Sequence, residues 1–329
     1  MCIRDRYYSL AGDVALASYA NHEAESRYRK ALSLSPSDSE RASLLFRLGQ
    51  ALDGQSRSEE SIQIWHAGID LYRSMSPENS EEVARLYAHS ARAAWEGGNT
   101  PQSLSLCQEG LQAVAGTADS PGLALLVHEA ARANLFNGLV DEARLLCQQA
   151  LEMAEKLNIP DVQADALATM GLLPDQPPDS ALRALTRAVE IAESAELLGH
   201  AARAHTNLAA LQANRIQDFQ TARDHYRRSA ELRRLNGSKA GELLGLGGAA
   251  EVSLLLGDLK GTKATFPLLR ELLDEVIDPG PAVFHFRKIE ALLLRYQGDL
   301  DNATRRLRVL QTEERQRGNL QNLIEVNSQ

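Results

Sequence analysis

The feature that most constrains this chain is a pattern of side-chain sizes that recurs about every 40 residues. In each copy a small residue is followed four positions later by a bulkier one, and then by a small or apolar pair. The first small residue falls at eight positions, 37 to 42 residues apart: Ala24, Ser61, Ser103, Ala143, Ala181, Ala222, Thr262 and Ala303. Such regular copies indicate one supersecondary unit repeated along the chain. The core then continues through neighbouring repeats, and the usual count of one core per domain does not apply.

A second register of small residues lies about twelve positions upstream of the first. It contains Gly12, Gly49, Ala91, Ala131, Ala209 or Ala210, Ala250 and Ala291, and the fifth repeat departs from it with Thr169 or Gly171. A small residue lets two antiparallel helices approach closely, and the bulky residue of the second helix fills the next gap. The pattern therefore predicts that each repeat forms helix A, a short turn and helix B.

Apolar spacing and turn chemistry support helices throughout the chain. Residues 143–154 place their apolar side chains at i, i+3, i+4, i+7, i+8 and i+11, which forms one helical stripe. Gly138 and Gly257 are placed to end A helices, while Thr100 and Ser120 each precede a proline and are predicted N-caps. No alternating run of β-branched residues predicts a strand. The fold class is an all-α, right-handed α-solenoid of about eight helix-turn-helix repeats.

Proline-rich stretches and the two ends divide the chain. Residues 1–6 are predicted to be a non-native leader, and residues 7–173 to form repeats 1–5. Residues 174–179 contain three prolines and are the predicted hinge before a second half that extends to residue 318. Residues 319–329 are interpreted as the truncated start of a further repeat, and Pro267 should kink a B helix.

The small/bulky/small signature resembles the tetratricopeptide repeat (TPR). Leu48-Gly49 followed by Trp65, and Ala131 followed by Cys147, match its pattern. The departure is length, because the repeats here exceed the usual ~34 residues. Longer TPRs form the C-terminal sensor arms of bacterial signal-transduction ATPases, such as LuxR-type activators and adenylate or guanylate cyclases with an AAA module. Residues 11–32 resemble the segment where such arms begin, which implies a regulatory role beside a separate ATPase module.

Composition and missing motifs exclude several function classes. The net charge of −9 argues against binding of nucleic acid or an anionic membrane by the whole surface. Three cysteines cannot form a disulfide framework and fit a cytoplasmic protein. The sequence has no metalloprotease, nucleophile-elbow or phosphate-loop motif, and His200 and His205 are five apart where a helical metal pair needs four. No enzymatic activity, cofactor or metal is therefore predicted within this chain.

One group of cationic side chains is a candidate ligand site. Arg92 and Arg132 occupy the same position of adjacent A helices, with Arg85 two turns before the first and His128 one turn before the second. In a TPR superhelix the A helices line the concave groove, where such residues could bind peptide carboxylates. The alternative is that these arginines pair with nearby carboxylates such as Glu96 and Glu129.

The function predicted from the sequence is a non-catalytic module that binds a protein or peptide in its concave groove, as the regulatory or sensor arm of a larger bacterial signalling protein. One alternative is a free-standing TPR scaffold or peptide receptor. Another is a fragment of a multidomain enzyme, a nucleotide cyclase or ATPase, whose catalytic residues lie in another part of the protein.

Overall fold

The computed structural model describes residues 3–34, 36–276 and 280–317, together with Leu323. These residues form helices and turns, with no strand among them. The α-helices are α1 (Ile3–Ala17), α2 (Asn21–Leu32), α3 (Asp38–Asp53), α4 (Ser58–Met75), α5 (Ser80–Glu96), α6 (Thr100–Ala113), α7 (Pro121–Phe136), α8 (Val140–Leu157), α9 (Pro160–Met170), α10 (Pro178–Ser194), α11 (Leu198–Leu211), α12 (Phe219–Leu235), α13 (Lys239–Leu255), α14 (Leu259–Glu275), α15 (Gly280–Tyr296) and α16 (Leu300–Arg317). Odd numbers are the A helices and even numbers the B helices, so the predicted eight helical pairs are confirmed.

The small/bulky register explains how the two helices of a repeat pack. All eight small residues that define the repeat are at most 3% exposed. A Cβ added to Gly49 would lie 2.1 Å from Nε1 of Trp65, so the indole occupies the space that glycine leaves. Trp65 also donates from Nε1 to the Phe46 carbonyl oxygen, 3.0 Å away. In the fifth repeat Gly171, rather than Thr169, has this role, because a Cβ there would lie 2.4 Å from Cγ of Leu185.

The turns follow the predicted chemistry with one correction. Gly138 and Gly257 have φ values of +80° and +81°, the left-handed region in which a Cβ is strained. Ser120 caps α7, its side chain accepting a hydrogen bond from the Leu123 amide at 3.2 Å. The prediction that Thr100 caps α6 was wrong. Asn99 is the N-cap and accepts from the Gln102 amide at 3.1 Å, which places Thr100 inside the helix.

The two helix types form different layers. Several successive A helices pack on one another, as in α5 with α7, α7 with α9, α9 with α11 and α13 with α15. Among the described helices no comparable contact joins two B helices, which pack on A helices instead. Because the contacts between A helices are the more frequent ones, we call the layer of A helices the inner layer. The superhelix also turns back on itself, because α15 contacts α5 and the turn at Gly237 lies against Tyr19.

Two of the sequence predictions concern proline-containing segments, residues 174–179 and Pro267. The three prolines after α9 follow the shortest of the described A helices, which has 11 residues. Whether residues 174–179 act as a hinge stays a prediction, and α9 and α10 pack on each other across them. Helix α14 continues through Pro267 to Glu275. Residues 319–329 lie outside the described residues apart from Leu323, as do the first two residues of the predicted leader. Within the described part of the chain, no helix has the length and apolarity needed to cross a membrane.

Candidate functional site

Four consecutive A helices, α5, α7, α9 and α11, direct charged side chains to one network on the inner layer. The rest of these helices is largely apolar and buried. The network consists of three arginines, two carboxylates and two histidines: Arg92, Arg132, Arg203, Glu129, Asp165, His128 and His200. The residues of the network span more than 100 positions of the sequence, from Arg92 to Arg203, and the stacking of repeats brings them together.

Glu129 connects the first two arginines. Its carboxylate is 1% exposed, accepts a hydrogen bond from Nε of Arg92 at 2.8 Å, and lies 2.7 Å from Nη2 of Arg132. Burial alone would raise the pKa of Glu129, but Arg132 and Arg92 hold it well below its usual range. Arg132 is itself buried and lies over the Trp95 ring, 4.6 Å from its centroid. Burial lowers the pKa of Arg132 to about 10, and the adjacent Glu129 carboxylate offsets this effect only in part.

Asp165 is the second buried carboxylate of the network. Its Oδ2 accepts from Nη2 of Arg92 at 2.7 Å, and its Oδ1 lies 2.9 Å from Nη1 of Arg203 and 3.0 Å from Nδ1 of His200. Burial would raise the pKa of Asp165, yet Arg203, His200 and Arg92 together hold it well below its ordinary value. Arg92 therefore bridges the two carboxylates, which outweigh the effect of burial and raise the pKa of Arg92.

His128 and Thr169 extend the network without adding charge. Nε2 of His128 lies 3.1 Å from Oγ1 of Thr169, which also accepts from Nη2 of Arg203 at 2.6 Å. Thr169 donates in turn to the Asp165 carbonyl oxygen at 3.0 Å. Because the His128 side chain is fully buried, its pKa is lowered. Burial and the nearby Arg92 lower the pKa of His89 on α5 to about 4, so both imidazoles are neutral at pH 7.

The charge balance of the network favours an anion over a metal ion. Apart from the histidines, the three guanidinium groups and two carboxylates leave one positive charge in excess. Donor atoms of His128, Glu129 and Asp165 all lie within 4.8 Å of one another, which is a spacing a metal could use. However, each carboxylate is already in contact with two guanidinium groups, and a cation would have to displace them. The donor set does not fit a resident metal.

The structure brings three of the four predicted site residues together. Arg92, Arg132 and His128 share one network, and the predicted alternative of ion pairs with Glu129 is present. Arg85 lies apart, where its Nη2 pairs with Glu81 one turn away at 2.5 Å on an exposed part of α5. The role of the four predicted site residues in ligand binding stays a prediction.

Sequence reasoning missed Asp165, Arg203 and His200. Asp165 carried the clearest signal, since a carboxylate within the apolar run of residues 162–169 is unusual in a buried helix. Arg203 and His200 had no comparable signal, because their partners lie in other repeats. Arg92 meets Asp165 across 73 residues, and a single sequence does not reveal such a contact.

Comparisons with known proteins agree on the architecture. A family model described as soluble NSF attachment protein (SNAP) matches residues 124–266, which is less than half of the chain. The chain is similar to a Rap protein complexed with competence and sporulation factor, with a TM-score of 0.68 and 10% identity over 98% of this chain and 96% of that one. It is also similar to NprR in complex with its cognate peptide NprX, with a TM-score of 0.61 and 13% identity over 98% and 95% of the two chains.

A third similar structure is that of a signal transduction ATPase with numerous domains (STAND) from Pyrococcus horikoshii, which has a tetratricopeptide repeat sensor. The TM-score is 0.54 and the identity 10%, over 94% of this chain and 47% of that one. No curated protein matches the chain in sequence. The resemblance to TPR proteins is thereby confirmed at the level of fold, and the chain is a TPR-like helical-repeat superhelix.

Proposed function

We propose that this chain is a non-catalytic, peptide-binding regulatory module that holds its ligand along the inner layer of A helices. The observation that carries the proposal is the arginine network, which is oriented by buried carboxylates yet remains partly open. The side chain of Arg92 is 23% exposed and that of Arg203 is 13% exposed, while Glu129 and Asp165 are 1% exposed. Guanidinium groups fixed in this way lose little conformational entropy when a ligand binds.

The ligand group that fits this network is a carboxylate. Arg92 uses Nε and Nη2 for its carboxylate partners, and its Nη1 makes no hydrogen bond to a described residue. The excess positive charge attracts an anionic group, and charge-assisted hydrogen bonds to guanidinium are stronger than neutral ones. We propose that a peptide C-terminus or an acidic side chain occupies this position beside Arg92, Arg132 and His128, and that Arg85 extends the same strip on α5.

The comparisons support a peptide rather than a small metabolite as ligand. Two of the similar structures contain a bound factor or peptide, and this chain covers at least 95% of both proteins. The STAND protein supports placing the module as the sensor arm of a larger signalling protein, since this chain covers 47% of it. The near-complete coverage of Rap and NprR supports the second candidate, a free-standing peptide receptor. Under either candidate we propose cytoplasmic action without a cofactor, a membrane contact or direct nucleic-acid contact.

Affinity selection from a library of random short peptides tests the binding function. We expect wild-type protein to enrich peptides with a free C-terminus or acidic residues over their amidated or neutral counterparts. Arg92→Lys keeps the charge but cannot bridge two carboxylates and a ligand, so it should weaken binding of the enriched peptides by about tenfold or more. Arg187→Gln, which removes an exposed charge from a B helix, is the matched control and should bind like wild type. Equal enrichment by wild type and Arg92→Lys, or no enrichment at all, would contradict the proposal.

The two candidates for the parent protein predict different coding sequence upstream of this chain. A phosphate-loop motif encoded upstream in the same reading frame supports the sensor arm of an ATPase or cyclase. A start codon just before residue 7 supports the free-standing receptor.

A further inference from the structure

The first A helix exposes two large apolar side chains on one stripe of its surface. Tyr7 and Val14 of α1 lie seven positions apart, which places them two helical turns apart on the same face. In the described part of the chain, Tyr7 is 64% exposed and Val14 is 72% exposed. A solenoid normally ends in a repeat whose outer face is polar, because that face meets water. The apolar stripe of α1 is therefore unusual for a terminal helix.

The repeat register identifies the same stripe in every later A helix. Tyr7 lies five positions before Gly12 and Val14 two positions after it, and the register is counted from Gly171 in the fifth repeat and Ala209 in the sixth. The residues equivalent to Tyr7 are Leu44, Leu86, Leu126, Ala166, Ala204, Gly245 and Phe286. Those equivalent to Val14 are Ala51, Ala93, Ala133, Leu173, Leu211, Val252 and Leu293. All of these residues are small or apolar, and all are buried.

The B helix of the preceding repeat covers this stripe. Each A helix from α3 to α15 is in contact with the B helix that comes directly before it. A Cβ added to Gly68 on α4 would lie 3.3 Å from Cδ1 of Leu86, and one added to Gly110 on α6 would lie 3.1 Å from Cδ2 of Leu126. A small residue of the B helix thus packs directly on the residue equivalent to Tyr7. The stripe is the surface on which one repeat receives the repeat before it.

We propose that the stripe of Tyr7 and Val14 is a docking surface for an amphipathic B-type helix, which the parent protein supplies directly N-terminal to α1. The occupant follows from continuity with the internal interfaces, because α1 presents the same positions with the same apolar chemistry. The helix carries a small residue, a bulky residue four positions later and a second small residue seven positions after the first. The second small residue lies opposite Tyr7, as Gly68 lies opposite Leu86. The inference is independent of peptide binding, and it favours the sensor-arm candidate over the free-standing receptor.

The upstream coding sequence provides the first test. From the second small residue of a B helix to the Tyr7 equivalent of the next A helix, the spacing ranges from 13 positions (Ala31 to Leu44) to 18 positions (Gly68 to Leu86). The natural gene should therefore encode a small residue at a comparable distance before Tyr7, with the bulky residue and the first small residue of the pattern ahead of it. A start codon just before residue 7, or an upstream sequence without this pattern, would overturn the proposal.

Cysteine labelling tests the contact itself. Val14→Cys is made in this chain and in a protein extended upstream by one repeat length of the natural gene. In both proteins Cys2 and any upstream cysteine are replaced by serine, while Cys107 and Cys147 are fully buried. Because a covered thiol reacts only during local opening, maleimide should label Val14→Cys about tenfold or more slowly in the extended protein. Leu145→Cys, at a position of α8 that is 65% exposed, is the matched control and should react equally fast in both. Equal labelling of Val14→Cys in the two proteins would overturn the proposal.

Oligomeric state and stability separate the proposed occupant from other ways of covering α1. A second copy of this chain would cover Val14 without an upstream segment. Slow labelling of Val14→Cys in the 329-residue chain, together with a dimer in size-exclusion chromatography with light scattering, would therefore overturn the proposal. Val14→Ser, which keeps a similar helix propensity, should not change the melting temperature of the 329-residue chain. It should lower that of the extended protein by about 2 °C or more, because it removes a buried apolar contact, and equal shifts in both proteins would overturn the proposal.

Discussion

Glu129 is the carboxylate on which two arginines depend, so Glu129→Gln is the most informative single change. Glutamine keeps the size of the side chain and removes its charge. Arg132, which is 3% exposed, then has no other carboxylate within ion-pair distance among the described residues. Arg92 keeps Asp165 at 2.7 Å. The variant therefore leaves one buried guanidinium uncompensated and another partly compensated.

The expected cost follows from this difference. Removing one partner of a buried ion pair costs about 3–5 kcal/mol. The loss at Arg92 is partial, and the Trp95 ring still attracts Arg132, so a loss of about 3 kcal/mol is expected, at the lower end of that range. Urea denaturation followed by circular dichroism at 222 nm measures the change, fitted with a nearest-neighbour model because repeats unfold less cooperatively than single domains.

Glu81→Gln is the matched control on the same inner layer. It breaks the exposed pair with Arg85 and should change the free energy of unfolding by no more than about 0.5 kcal/mol. In a double-mutant cycle, Arg132→Met should recover part of the loss caused by Glu129→Gln, with a coupling energy of about 1–3 kcal/mol. If Glu129→Gln costs no more than Glu81→Gln, or if the cycle shows no coupling, the description of the network as a mutually dependent unit is wrong.

Three further predictions concern the core and the pH dependence of stability. Trp65→Ala should cost about 3–5 kcal/mol in urea denaturation, because it empties the space opposite Gly49; an effect below that of Glu81→Gln would contradict the packing. Cys107→Ser should cost about 1–3 kcal/mol more than Cys107→Ala, because the site is fully buried and the hydroxyl must lose its water; equal stability would mean that the hydroxyl finds a partner. Because the pKa of His89 is lowered in the folded protein, the unfolded chain binds more protons at acid pH. The contribution of His89 to stability is therefore complete above about pH 6.5 and is lost as the pH falls towards 4. From this group alone, the free energy of unfolding should fall by about 2 kcal/mol between about pH 6.5 and 5. His89→Phe should weaken that loss in pH-dependent unfolding measurements, and an unchanged profile would assign the loss to other groups.

The pairing of helices could be predicted because its determinants are local. A glycine in helix A and a bulky residue about 16 positions later must face each other whenever the two helices form an antiparallel pair, and Gly49 with Trp65 shows this contact. Turn glycines such as Gly138 are equally local, because their backbone conformation depends on neighbouring residues. The misassigned cap at Thr100 was an error of one position within a correctly placed turn.

The candidate site depended on information that the sequence holds only in part. The repeat register placed Arg92 and Arg132 at equivalent positions of adjacent helices, and this sufficed to predict that they lie near each other. It did not determine their charge partners. Arg92 was predicted to face a ligand or a nearby carboxylate such as Glu129, and the structure adds Asp165 from the following repeat.

By itself, therefore, the sequence determined the all-α class, the repeat unit, its number and the side of each helix that packs. These follow from side-chain size and backbone preference over a few tens of residues. The tertiary structure decided which charges meet. Asp53, Glu96 and Arg233 come from three different repeats and line one small pocket because the superhelix turns back on itself. That curvature is the sum of small rotations at every interface between repeats, so no local sequence pattern specifies where the turns meet.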